Sequence, residues 1–119
     1  MRILAAISDL FVQSRIIELA RKLGVKVNFV SSQNDLIREI GQESPSLVIL
    51  DLASSEYDPF TYVKLLRTGS SSPKILAVFP HIRTDLKRRA EEAMIDYIVP
   101  NSAFLRKLTH ILEQEVDGH

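Results

Sequence analysis

The sequence predicts an α/β domain, with a doubly wound parallel sheet of five strands and a helix after each one. Two observations carry this. Apolar runs of strand length recur along the chain, and most lack the polar alternation of a sheet with one wet face. Between them lie segments whose apolar residues recur at helical spacing. Strands alternating with helices imply a parallel sheet covered on both faces and joined by right-handed crossovers.

The first run, ILAAI (Ile3–Ile7), is continuous and suits a buried strand. Val12, Ile16, Leu19, Ala20 and Leu23 then mark one helical face, and Gly24 stands where a left-handed cap belongs. VKVNFV (Val25–Val30) alternates more than the others and suits a sheet edge. A second helix is expected from about Asn34 to Ile40, capped by Ser31 or Ser32 and ended by Gly41. LVILDL (Leu47–Leu52) is the third strand and carries Asp51. The third helix has a clear start, with Asp58 as N-cap and Pro59 in the first helical position; Phe60, Val63, Leu66 and Arg67 follow. KILAVF (Lys74–Phe79) is the fourth strand. The fourth helix, about Thr84 to Met94, is polar, with Leu86, Ala90, Ala93 and Met94 on a narrow face. Its Lys87-Arg88-Arg89 run reads as a solvated face balanced by Glu91 and Glu92. YIV (Tyr97–Val99) is the fifth strand, and a last helix begins near Asn101 or Ser102 with Leu105, Leu108, Ile111 and Leu112 as its stripe. GQESPS and TGSSSPK read as connectors, and VDGH as a frayed end.

The 119 residues suit one domain, 1–119, with no internal repeat. There is no cysteine, which excludes disulfides and thiolate metal sites. Lysine plus arginine equal aspartate plus glutamate at 15 each, so no general attraction to nucleic acid or anionic membrane is expected. No apolar run reaches the roughly 18 residues of a membrane span, and the first strand begins directly after Met1. A cytoplasmic protein is expected.

In an open α/β sheet, ligands bind beyond the carboxyl ends of the strands. The residues there are Ile7-Ser8-Asp9, Val30-Ser31, Asp51-Leu52, Phe79-Pro80-His81 and Val99-Pro100-Asn101. Asp51 is the best-placed carboxylate. No GxGxxG and no GxxxxGK[ST] occurs, so dinucleotide and P-loop chemistry are excluded. ISDLFVQS has no glycine to bring backbone close to a phosphate. His81, His110 and His119 lack the spacing of a zinc site. Asp9 reads as an N-cap, and a carboxylate at Asp51 can simply be held by loop amides, Ser8 or Asn101.

Three stretches together resemble one family. ILAAISDLFVQSRIIELARKLG resembles the first βα unit of response-regulator receiver domains, ILxVDD followed by a helix ending in LG. LVILDLASSEYDPF is similar to their third strand, with Asp51 in the phosphoacceptor position. IDYIVPNSAF resembles their fifth strand, DYLxKPF. The resemblance covers nearly the whole chain and implies a flavodoxin-like receiver fold in two-component signalling.

The departures concern phosphorylation. The family's acidic pair, which holds Mg²⁺, is replaced by Ile7 and Ser8, and Asp9 is acidic one residue late. Its lysine is replaced by Pro100 and its threonine or serine by Phe79, an aromatic that would fill space a phosphoryl group needs. Loss of one such electrostatic group commonly costs about 10²–10³ in rate.

The resemblance therefore implies an atypical, pseudo-receiver interaction module, not an enzyme and with no resident cofactor. Its partners would be proteins such as a histidine kinase or an output protein. It implies a homodimer or partner face along the fourth helix, fifth strand and fifth helix, with Phe104 and the Ile111/Val116 side toward it. Two alternatives stay open. One is a working phosphoacceptor with Asp9 and Asp51 sharing Mg²⁺. The other is a small-ligand sensor in a crevice lined by Ser8, Asp51 and His81.

Overall fold

The computed structural model describes residues 1–69 and 72–117, and the side chains of these up to residue 115. Ser70 and Ser71 of the TGSSSPK connector, the Gly118-His119 end of VDGH and the Val116 side chain lie outside the described residues. The elements run β1 (Arg2–Ala6), α1 (Leu10–Leu23), β2 (Lys26–Phe29), α2 (Gln33–Gln42), β3 (Leu47–Asp51), α3 (Pro59–Arg67), β4 (Lys74–Phe79), α4 (Thr84–Glu92), β5 (Tyr97–Pro100), a 3₁₀ turn (Asn101–Ala103) and α5 (Phe104–Asp117). The strands form one parallel sheet in the order β2-β1-β3-β4-β5. The more alternating strand, β2, is indeed an edge, and β5 is the other.

The continuous apolar runs are explained by two separate cores, one on each sheet face. Leu4, Ala6, Val48, Leu50, Ile75, Ala77 and Phe79 point to one core with Leu36 of α2, Val63 and Leu66 of α3, and Leu86 and Ala90 of α4. Their strand neighbours Ile3, Ala5, Ile7, Leu47, Ile49, Leu76 and Val78 point to the other, with Ile16 and Ala20 of α1 and Phe104, Leu108, Ile111 and Leu112 of α5. Period-2 geometry sends successive side chains to opposite faces, so a strand buried on both must be apolar throughout. From β1 the chain goes out to β2, then returns to β3 on the other side. The switch point therefore lies beyond Ala6 and Asp51.

The amino end of the sheet is tied by charge. Arg2, only 5% exposed, donates to Asn28, to the Glu39 side chain and to the Glu39 and Glu43 carbonyls. This satisfies a buried guanidinium and clamps the end of α2 to β1 and β2. Asp96 accepts from the Ile75 amide at 2.8 Å and from Arg67 at 3.2 Å, joining α3 and β4 to the turn before β5.

Helix ends account for three differences from the sequence reading. Gly41 lies inside α2, which runs to Gln42 with Glu43 as its cap. Met94 is not part of α4's apolar face. It stands beyond the helix with φ 56° and is 81% exposed. The Met94 amide donates to the Glu91 carbonyl and the Ile95 amide to the Ala90 carbonyl. That pattern is the one α1 uses, where Gly24 (φ 67°) donates to Arg21 and Val25 donates to Ala20. A left-handed residue is needed at both ends, and only Gly24 is a glycine. The third difference is α5, whose inward stripe begins at Phe104 instead of Leu105. Phe104 (4% exposed) and Ile111 (6%) are core, so they cannot form the outer interaction face assigned to them from sequence. The 3₁₀ turn before α5 sets this phase, and Leu105 is the residue turned outward.

Met94→Gly is expected to stabilise the protein by about 1 kcal/mol, because it removes a left-handed penalty of roughly 1–2 kcal/mol at an exposed position. Gly41→Ala should add about 0.5–1 kcal/mol, since a Cβ there meets nothing within 4 Å. Gly24→Ala should destabilise. Urea midpoints at unchanged m-value check all three, and a lower midpoint for Met94→Gly would contradict the left-handed assignment.

Candidate functional site

Asp51 ends β3, its residue pair across the sheet being Val78 of β4. It has the parity of Leu47 and Ile49, so its carboxylate belongs to the α1/α5 face. A cavity of about 220 Å³ opens there. Ile7, Val12, Val78 and Phe104 form apolar walls, and Ser8, Asp9, Asp51 and Asn101 supply the polar lining.

The loop after β3 holds the carboxylate and the strand end. Asp51 Oδ1 accepts from the Ala53 amide at 3.0 Å. Ladder pairing of β1 with β3 stops at Ala6 and Leu50. Beyond it, the Tyr57 hydroxyl accepts from the Asp51 amide at 2.8 Å and donates to the Ala6 carbonyl at 2.7 Å. One phenol thus bridges two backbone groups that the diverging strands leave apart. The Tyr57 ring stacks on Tyr62 of α3, with centroids 4.5 Å apart and planes at 15°. Burial pushes the Tyr57 hydroxyl above its ordinary value, so it stays a donor at neutral pH.

Asp9 caps α1, accepting from the Val12 amide at 3.0 Å. Gln13 Nε2 donates to the Ile7 carbonyl at 2.6 Å and pins the same turn. Asp58 caps α3, accepting from the Phe60 amide at 3.0 Å, with Pro59 following. Both caps agree with the sequence reading.

The site residues named from sequence divide by strand parity. Ile7, Ser8, Asp9 and Asp51 come together around the cavity. Phe79 does not. It is 4% exposed in the core of the opposite face, with α3 and α4, so it does not fill the space beside Asp51 as expected. Val78, its neighbour, takes that place. Pro100 pairs with Phe79 and is not among the cavity walls. His81 is exposed and also absent from the lining, so the crevice of Ser8, Asp51 and His81 is not formed; Asp9 and Asn101 are the other polar members. Tyr57 was missed, although it is the lone aromatic in the polar loop SSEYDP.

The electrostatics follow from this lining. Burial raises the Asp51 carboxyl above its ordinary value of 3.8, with the Ala53 amide pulling the other way. Among the described residues no lysine, arginine or histidine forms an ion pair with Asp51, and Oδ2 accepts no hydrogen bond. No three histidine, cysteine, aspartate or glutamate side chains among them converge as metal ligands. Mg²⁺ demands six oxygens at near-ideal octahedral geometry. Of the two carboxylates in the lining, Asp9 is spent on a helix cap, and apart from Ser8 and Asn101 the remaining lining residues, Ile7, Val12, Val78 and Phe104, offer no side-chain oxygen.

Comparison with solved structures identifies the fold. A putative response regulator from Chloroflexus aurantiacus is similar at TM-score 0.81 and 18% identity, over 99% of this chain and 98% of that one. A response regulator from Thermotoga maritima gives 0.79 and 13%, over 98% and 97%. A receiver domain from Bermanella marisrubri gives 0.75 and 21%, over 93% and 96%. At these identities the likeness establishes the receiver fold. No protein-family model and no curated protein matches the sequence.

Tyr57→Phe is expected to cost about 1–3 kcal/mol in urea unfolding, because it leaves the Asp51 amide and Ala6 carbonyl without their bridge. Asp51→Asn should stabilise at neutral pH. A folded-state carboxyl pKa above the unfolded one means the native state binds more protons, so this group's contribution falls as pH rises through that window. Removing the charge restores that loss, while Asn Oδ1 can still accept from Ala53. The gain should vanish below about pH 3.8, where both states are protonated. A gain that persists there would contradict the assignment.

Proposed function

We propose that this chain is a receiver-like signalling module that works by association with other proteins, without efficient Mg²⁺-dependent phosphorylation of Asp51 and without enzymatic activity of its own. The observation that carries this is the lining around Asp51: the carboxylate keeps the phosphoacceptor's place, but Ile7, Val78 and Phe104 wall it and no cation among the described residues pairs with it. Aspartyl phosphorylation needs counter-charge on the incoming phosphoryl oxygens, and a lone carboxylate supplies a nucleophile only. The partners would be a histidine kinase or an output protein. A homodimer along α4, β5 and α5 would use Leu105, Arg106 and His110, since Phe104 and Ile111 are internal.

One observation favours a second reading. Asp9 and Asp51 line the same cavity, as two carboxylates sharing a metal would. For that, Asp9 must give up its bond to the Val12 amide, at a cost of about 0.5–2 kcal/mol for an N-cap.

Incubation with Mg²⁺ and acetyl phosphate, followed by intact mass, tests the proposal. The expected result is no stoichiometric adduct, and no saturable amide shifts with beryllofluoride. A stoichiometric adduct that disappears in Asp51→Asn would establish the second reading instead.

A further inference from the structure

We propose that the cavity between α1 and Asp51 is a binding site for an alkylammonium group, a primary amine on a stem of three or four carbons. The inference goes beyond the association reading and names what the site itself recognises. Its chemistry comes from two parts that no divalent metal or anion matches together. The walls are apolar: Ile7, Val78 and Phe104 are core residues, and Val12 packs against them. The polar groups can accept: Asp51 Oδ2 has no partner among the described residues, and Ser8 and Asn101 stand in the same lining. An ammonium has three donors and no acceptor, which suits a carboxylate, a hydroxyl and an amide oxygen. The carbon stem replaces water against the walls, which a hydrated Mg²⁺ cannot do.

Charge and size point the same way. Asp9 and Asp51 are the charged members of the lining, so the site is negative, and low-dielectric walls concentrate its field. Anions are repelled. The volume of about 220 Å³ equals about seven waters at ~30 Å³ each. That admits a butylammonium whole, whereas a nucleotide or flavin would lie largely outside it. The amine has two sources, a free small amine or a lysine side chain of a partner. Leu10 and Phe11, 77% and 69% exposed, adjoin the lining residues Asp9 and Val12, and would meet the backbone that carries such a lysine.

The test is an amide NMR titration of the full chain with n-butylammonium chloride. The expected result is saturable shifts at Ser8, Ala53 and Phe104, weakened about tenfold or more both with n-butanol and in Asp51→Asn, the loss of one charge-assisted hydrogen bond. Ser8→Leu, which fills the cavity and keeps the charge, should abolish binding and serves if Asp51→Asn does not fold. Nα-acetyl-lysine methylamide separates the sources: binding as tight as butylammonium assigns a polypeptide lysine, and weaker binding assigns a free amine. Equal binding of butanol, or binding unchanged in Asp51→Asn and Ser8→Leu, overturns the proposal. Displacement of the amine by stoichiometric Mg²⁺ also overturns it, whereas phosphorylation by acetyl phosphate without such displacement overturns only the association reading.

Discussion

Burial on both faces of the parallel sheet is the constraint on which the rest depends. It makes every strand residue choose a side, and the sides alternate without exception along β1, β3 and β4. The site inherits that choice. Asp51, Ile7 and Val78 share the α1/α5 face, whereas Phe79 goes to the α3/α4 core one residue later. The cavity beside Asp51 therefore has apolar walls from its own strands. Nothing in the loops could change this without moving a strand by one residue, which would invert both cores.

The strand ends then pose a polar problem. At a switch point neighbouring strands separate, and their last backbone groups lose ladder partners. Tyr57 solves this between β1 and β3, with its ring supported by Tyr62 and its hydroxyl between the Ala6 carbonyl and the Asp51 amide. The backbone of Asp51 is thus fully engaged, and one carboxylate oxygen is engaged by Ala53. What remains is a single oxygen in a partly buried, apolar-walled space. A carboxylate so placed is costly as a charge, which is why its pKa is raised above the ordinary value and why a cation from outside is its chemical complement.

Much of this was legible in the sequence, for identifiable reasons. Double-sided burial leaves continuous apolar runs, so five strands and their parallel arrangement could be read, though not their order across the sheet. Asp58-Pro59 and Gly24 are local signals with local causes, and both stand where read. Asp51 was found because strand ends are where ligands sit. Other features depend on geometry that spacing does not carry. Phe79 and Val78 are adjacent and both apolar, so parity was needed to say which one meets Asp51. Phe104 and Leu105 are equally good starts for a helical stripe, and the 3₁₀ turn decides between them. Met94 occupies a position that favours glycine, and Gly41 sits inside a helix, each against local preference. Tyr57 acts across 51 residues of chain to reach Ala6, and no short motif encodes that reach.

Asp51 is a partly buried carboxylate that forms no ion pair among the described residues, and on the proposed reading it meets no Mg²⁺ either. Its own titration tests this most directly. The side-chain carbonyl carbon of Asp51, followed by NMR against pH, is expected to titrate above the ordinary aspartate value of 3.8 and at the same midpoint with and without Mg²⁺. A midpoint below that value, or one driven down by added Mg²⁺, would place a cation at Asp51 and overturn this picture of the site.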